Sequence, residues 1–267
     1  MARRDQGLLG EIERDLLDDT KPLAATLRKC LLLGGQTRSV PLREWASREL
    51  NGYEGEDELP EYRRVQGAIL VDAIVGNYHT KRQRISSSDL PDFAAEHISE
   101  TVELRGGAGL LEALVSQGDA SGEGAVKLSL PAGAELVAYM NQQNNEPFQQ
   151  ILEVYWGVST VAIRGVLDQI RTSVVEIISE LRAGMPDEGG TPSPELADQA
   201  VNVVLHGGKR HQVTVTTAKA EEGSSVSVSP ANQGPESRWS KTSAIWTVLG
   251  VLVALVGVYL AYRQLKD

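Results

Sequence analysis

The chain of 267 residues combines 41% hydrophobic with 23% charged residues, which excludes a wholly disordered polymer and a polytopic membrane protein. Its 36 Asp and Glu against 26 Lys and Arg leave a net charge of −10, which repels phosphate backbones at long range and argues against general nucleic-acid binding. The single cysteine, Cys30, excludes an intramolecular disulfide and removes any need for an oxidising compartment. The first residues carry Arg3 and Arg4 but no apolar stretch before Glu11 and Glu13, so no secretory signal is expected.

Leu8, Leu9, Ile12, Leu16 and Leu17 recur at helical spacing and predict an amphipathic helix ending near Asp18 and Asp19. A second helix is expected to start with Thr20 as N-cap and Pro22 in its first turn, to bury Leu23, Leu27, Cys30 and Leu31, and to stop at Gly34 and Gly35. Pro41 opens a third helix, running through Trp45 and Leu50 to a stop at Asn51 and Gly52. An acidic loop of Glu54, Glu56, Asp57 and Glu58 leads into Val65–Val75, whose β-branched run predicts a buried strand, with Tyr78–Ile85 as a second. Ser88 or Asp89, ahead of Leu90-Pro91-Asp92, marks another helix start, with His97 placed on that helix. There follow a helical turn or two at Leu110–Val115, a strand at Val126–Leu130, a helix at Pro131–Gln142 and a strand at Ile151–Val158. The longest helix carries Val161, Val166, Leu167, Ile170, Val174, Ile177, Ile178 and Leu181. Residues 1–185 are thus expected to form an α+β domain dominated by helices.

Residues 184–200 contain few apolar side chains and predict a flexible exit, with a domain boundary near 185. The linker, 186–242, holds three alternating segments, Val201–Leu205, Val213–Thr216 and Val226–Ser229, broken by Gly207-Gly208-Lys209 and Glu221-Glu222-Gly223. Such a valine repeat is either a homo-oligomeric β stalk or a low-complexity linker, because its valines are too few to stabilise a lone small sheet. His206 and His211 flank the first turn without a carboxylate or thiol partner and fall short of a metal site.

Residues 243–262 carry no charge, and as a helix they would span roughly 30 Å, the thickness of a bilayer core. Arg238 and Lys241 precede them, Arg263 and Lys266 follow in the short basic tail 263–267, and Trp246, Tyr259 and Tyr262 sit at the two boundaries. The pattern predicts a single-pass transmembrane helix and, from its late position, a tail-anchored protein with a cytoplasmic N-terminal domain. Gly250 and Gly257 lie two turns apart on one face, a spacing compatible with close approach of two such helices.

No assembled catalytic site is legible. Cys30 shares the apolar face of Leu23, Leu27 and Leu31 and reads as a buried structural thiol. Gly106-Gly107-Ala108-Gly109 lacks the Lys-Ser/Thr of a phosphate loop and reads as a turn. Asp18 and Asp19 with Lys21 read as charges at a helix N-terminus rather than as metal or phosphate ligands. Glu49, Glu54, Glu56, Asp57, Glu58 and Glu61, with the basic segments Arg63–Arg64 and Lys81–Arg84, are expected to form a solvated surface of weak ion pairs. His79 and His97 stand alone, and no cofactor or metal is implied.

The stretch from Leu8 to Arg63 contains Leu-Leu-Gly-Glu-Ile, Asp-Leu-Leu-Asp-Asp-Thr-Lys-Pro-Leu, Leu-Arg-Lys-Cys-Leu-Leu-Leu-Gly, Leu-Arg-Glu-Trp-Ala, Glu-Leu-Asn-Gly-Tyr and Glu-Leu-Pro-Glu-Tyr-Arg. In these motifs it resembles the AbiTii family, the domain assigned to bacterial abortive-infection toxins, and the helix around Gly165 to Leu181 resembles the family's domain end. The resemblance implies phage defence by halting or killing the infected cell, and supplies no catalytic residues. It singles out Asp18, Asp19, Lys21, Arg28, Cys30, Trp45, Glu49, Asn51 and Tyr53 as a candidate functional surface. The expected protein is a toxin-like effector at the bacterial inner membrane, touching the lipid bilayer and further copies of itself. The competing expectations are a non-catalytic tethered sensor or scaffold for a defence-system protein, and an enzyme acting on nucleotides or nucleic acid.

Overall fold

The computed structural model describes residues 7–144, 146, 148–185 and 190–207. The expected strands Val213–Thr216 and Val226–Ser229, and the apolar run 243–262 with Trp246, Gly250, Gly257, Tyr259, Tyr262 and Arg263, lie outside the described residues. Among the described residues no helix is long and apolar enough to cross a membrane.

Three helices open the fold, α1 (Leu8–Leu16), α2 (Leu23–Thr37) and α3 (Val40–Asn51). The stripe of α1 buries Leu9, Ile12 and Leu16, as its period requires. The start of α2 differs from expectation: Pro22 is its N-cap residue, and the Leu23 amide donates 2.5 Å to Glu112 of a later helix rather than to Thr20. Nor do Gly34 and Gly35 stop it. Gly34 lies so close to α3 that a Cβ there would stand 2.9 Å from the Arg43 backbone nitrogen. Packing of Leu33, Gly34 and Thr37 therefore carries α2 onward to Arg38, which ends it in the left-handed region at φ 57°. Ser39 caps α3 by accepting from the Leu42 amide at 3.2 Å, and Gly52 closes it at φ +104°.

Strands β1 (Arg64–Val75), β2 (Tyr78–Ile85), β3 (Thr101–Glu103), β4 (Ala125–Ser129) and β5 (Gln149–Ser159) form one antiparallel sheet of order β2-β1-β5-β4, with β3 paired to the start of β1. Between them lie α4 (Asp92–Ala95) and α5 (Ala108–Ala120), then α6 (Gly133–Gln143) before β5; α7 (Thr160–Gly184) and α8 (Pro194–His206) follow. His97 falls beyond α4, which spans only four residues, and is exposed.

Period-two alternation divides the sheet. Ile69, Val71, Ala73, Ile151 and Val154 share a cluster with Leu90, Ala94, Ile98 and Leu136. Further along the same face Val102, Val126 and Val158 join the larger helical core, where α7 buries Ile163, Ile170, Ile177 and Leu181 almost completely. Each such side chain contributes roughly 1.5–3 kcal/mol of burial. Leu70 and Tyr155, on the opposite face, are buried yet belong to neither cluster.

The expected strand at Val201–Leu205 is helical, which corrects the sequence reading. Ser193 caps α8 by accepting from Leu196 at 3.2 Å, and Pro194 begins its first turn. Ala197, Ala200 and Val201 then recur at helical spacing and enter the same core as α2, α3 and α7. Ser39 donates 2.6 Å to Asp198, tying the start of α3 to α8. The folded core thus extends past residue 185.

Candidate functional site

Four side chains from two short stretches meet beneath the end of α3. Glu49 and Arg63 are wholly buried and pair through one carboxylate oxygen, Oε2 of Glu49 accepting from both Arg63 Nη2 at 2.6 Å and Nε at 3.2 Å. The other carboxylate oxygen accepts from Tyr62 at 2.6 Å and from the Tyr53 hydroxyl. Arg63 Nη1 donates to the carbonyls of Leu104 and Gly106 at 2.7 and 2.8 Å, and the guanidinium carbon lies 4.8 Å from the Tyr53 ring centre. Burial raises the pKa of both phenols, and the Glu49 charge adds to it. Trp45 is buried too; its indole N–H makes no well-formed hydrogen bond.

Glu49 and Arg63 are therefore not members of a solvated surface, as their neighbours in sequence suggested. The carboxylate accepts four hydrogen bonds and reaches no solvent, and the node ties separate stretches of chain together. It fixes the end of α3 and the 3-10 turn Glu61–Arg63 to the segment between β3 and α5. Glu54, Glu56 and Glu58 stay exposed, and Asp57 pairs with Arg48 at 3.3 Å.

The candidate surface divides accordingly. The structure brings Trp45, Glu49 and Tyr53 together inside the domain, whereas Asp19, Lys21, Arg28 and Asn51 occupy exposed positions. Asp18 accepts from the Thr20 amide at 3.0 Å and hydroxyl at 2.6 Å, which holds its carboxyl below the usual range. Asn51 donates to Ser47 at 3.1 Å. Cys30 is 1% exposed, and burial pushes its thiol up to about 12. A thiol reagent is expected to leave the folded protein unmodified and to react at the rate of unfolding; prompt stoichiometric labelling in native buffer would contradict the enclosed geometry.

A second cluster, invisible in sequence, lies on the opposite sheet face. Asp72 sits where both neighbouring strands bulge. Val71 pairs with Gln83 but Ala73 with Thr80, and Asp72 pairs with Glu153 but Ala73 with Ile151. The extra residue of β2 leaves Arg82 in the left-handed region at φ 57°, its amide donating 2.8 Å to Asp72. Lys127 bridges Asp72 at 3.0 Å and Glu153 at 2.9 Å while lying 4.1 Å from the Tyr155 ring centre. Tyr155 donates 3.0 Å to Asp72, and Arg82 pairs with Glu123 at 3.1 Å across a shallow cavity floored by Leu70, Tyr155 and Gly157.

Burial alone would raise the Asp72 carboxyl, but the Arg82 amide, Lys127 and Tyr155 together hold it below its usual value. For Lys127 burial acts downward, and Glu153 and Asp72 outweigh it, keeping the ammonium above the usual lysine range. A depressed carboxylate contributes stability that is complete above its unfolded pKa, about 3.9, and is lost as pH falls through the folded value. The melting temperature of the parent protein is thus expected to fall more steeply below about pH 4 than that of Asp72→Asn. Parallel slopes in a pH series of melting curves would count against this assignment.

No group of three or more His, Cys, Asp or Glu side chains among the described residues is arranged to hold a metal ion. Compared with curated proteins and with solved structures, the chain finds no match. A family model, that of AbiTii, matches residues 7–205, from the start of α1 almost to the end of α8. The match spans the complete folded core, including the node that joins α3 to the sheet and the α8 helix that packs on α7, and on that extent the chain belongs to the AbiTii family.

Proposed function

We propose that the protein is a membrane-anchored, toxin-like effector of abortive infection, built from a non-catalytic α+β domain tethered to the bacterial inner membrane by residues 243–262. Membership of the AbiTii family supports a role in abortive-infection phage defence. The observation that carries the membrane reading is the uncharged run 243–262, flanked by Arg238, Lys241, Arg263 and Lys266 and bordered by Trp246, Tyr259 and Tyr262. Gly250 and Gly257 on one face support association of copies within the bilayer. The non-catalytic reading draws on the chemistry of the buried groups, since Glu49 has its acceptor positions filled and Cys30 is enclosed as a neutral thiol.

Inducible expression of the full chain and of residues 1–242 in a bacterial host tests this. The full chain is expected to arrest growth and lower the membrane potential, and the shortened chain to do neither. Equal effects from the two would exclude membrane action. A second reading, a tethered sensor that offers its outer sheet face to a defence-system protein, is favoured by the ordered charges Arg82, Glu123 and Lys127 on that face. In that case the full chain is harmless alone and co-purifies with a stoichiometric protein partner.

A further inference from the structure

One end of the sheet gathers exposed apolar side chains that no core explains. Val75 and Tyr78 are paired across the β1–β2 turn, and Val75 is also paired with Gln149 at the start of β5. The Gly76 amide donates 2.6 Å to the Phe148 carbonyl, which fixes Phe148 beside the same turn. Tyr78 is 79% exposed, Phe148 77% and Val75 45%. The register therefore sets Tyr78 opposite Val75, and the hydrogen bond brings the Phe148 backbone to the same tip, so three exposed apolar residues share one end of the sheet where exposed apolar residues commonly stand singly.

The strand behind the tip is basic. From residue 73 to residue 88 the chain carries His79, Lys81, Arg82 and Arg84 and no Asp or Glu, against a net charge of −10 for the whole. Arg82 is engaged by Glu123 and the charge of Arg84 acts on Glu100, while His79 and Lys81 are exposed along this edge strand toward the tip. Glu146 is the carboxylate nearest to Phe148 in sequence. Aromatic rings at the leading end with cations behind them match the layering of an anionic bilayer surface, where rings settle at the headgroup boundary and cations meet phosphates. The chain between the described domain and the apolar run, residues 208–242, has a contour limit of roughly 120 Å, so attachment at 243–262 leaves the tip within reach of the same membrane.

We infer that the β1–β2 tip, with Val75, Tyr78 and Phe148, docks the domain onto the anionic lipid surface of the bilayer in which residues 243–262 are held. This rests on the membrane reading above and adds a second, separate contact to it. Docking orients the sheet edge toward the lipid.

The test uses the full chain with Asn77→Cys in the turn, labelled with an environment-sensitive fluorophore; the enclosed Cys30 stays unlabelled. On reconstitution into vesicles of equal parts phosphatidylcholine and phosphatidylglycerol, emission is expected to rise several-fold and shift to the blue relative to protein in detergent. Tyr78→Ser with Phe148→Ser should abolish the response, and Tyr78→Trp with Phe148→Trp should retain it. Flotation of the vesicles after a high-salt wash reports the anchor independently. Flotation without the emission response, or a response that the serine pair leaves unchanged, overturns the docking tip. A response without flotation supports the tip and removes the anchor. An equal response in phosphatidylcholine alone, or one that grows with protein density, overturns the anionic lipid surface as occupant, the latter in favour of a second copy.

Discussion

Replacing Arg63 with methionine is expected to lower the stability of the folded domain by about 3–5 kcal/mol. The substitution leaves Glu49 as a carboxylate with no exposure, held only by the hydroxyls of Tyr53 and Tyr62. It also strips the carbonyls of Leu104 and Gly106 of their donor. Removing one partner of a buried pair costs more than removing both, because desolvation of the remaining charge is no longer compensated. The double variant Glu49→Leu with Arg63→Met should therefore recover part of the loss. Urea unfolding of the parent, the two single variants and the double variant measures the coupling directly. A loss below about 1 kcal/mol for Arg63→Met would show that the pair is solvated, as an exposed salt bridge is.

The node also accounts for what the sequence motifs are. Glu-Leu-Asn-Gly-Tyr contributes Glu49 and Tyr53, and Glu-Leu-Pro-Glu-Tyr-Arg contributes Tyr62 and Arg63. Two of the six motifs that carried the resemblance thus supply all four side chains, and together they join α3 to the sheet. Periodicity could not reveal this, because Glu49 lies at a position that looks like one more member of an acidic surface, and burial by pairing leaves no hydrophobic signature.

The helices α1, α2, α3 and α7 and the strands β1 and β5 were legible from their apolar patterns, although the residues that start and end α2 differ from those expected. Short elements were less so. The three residues of β3 carry too little alternation to register, and α4 ends before His97. The segment Val201-Asn202-Val203-Val204-Leu205 alternates as a strand would, yet Ser193 and Pro194 start a helix whose register hides Ala197, Ala200 and Val201. Ala197 and Ala200 enter the core that α8 shares with α2, α3 and α7, a burial that only the helical register allows. The Asp72 cluster had no local signal at all, since it depends on two bulges and on side chains from β1, β4 and β5.

A methyl group at Gly107 is expected to destabilise the domain by about 3 kcal/mol, whereas the same group at Gly109, two residues away, is expected to be neutral or to stabilise by up to about 1 kcal/mol. Both glycines belong to the run that read as a plain turn. At Gly107 a Cβ would stand 2.2 Å from the Leu50 carbonyl oxygen and 3.0 Å from the Asn51 carbonyl carbon. These are backbone atoms at the end of α3 and have no rotamer to change. The approach is forced by the chain on both sides: Gly52 and Gly106 form a bridge, and the Tyr53 amide donates 2.9 Å to the Arg105 carbonyl. At Gly109, within α5, the nearest atom is the Ala24 Cβ of α2 at 3.7 Å, an ordinary contact, and alanine is the better helix former there. Thermal melts should place Gly107→Ala roughly 10 °C below the parent and Gly109→Ala level with it or above. Because Gly107 and Arg63 hold the same joint, Gly107→Ala with Arg63→Met should lose less than the sum of the two, and strict additivity would show that the close approach and the buried pair act on separate parts of the fold.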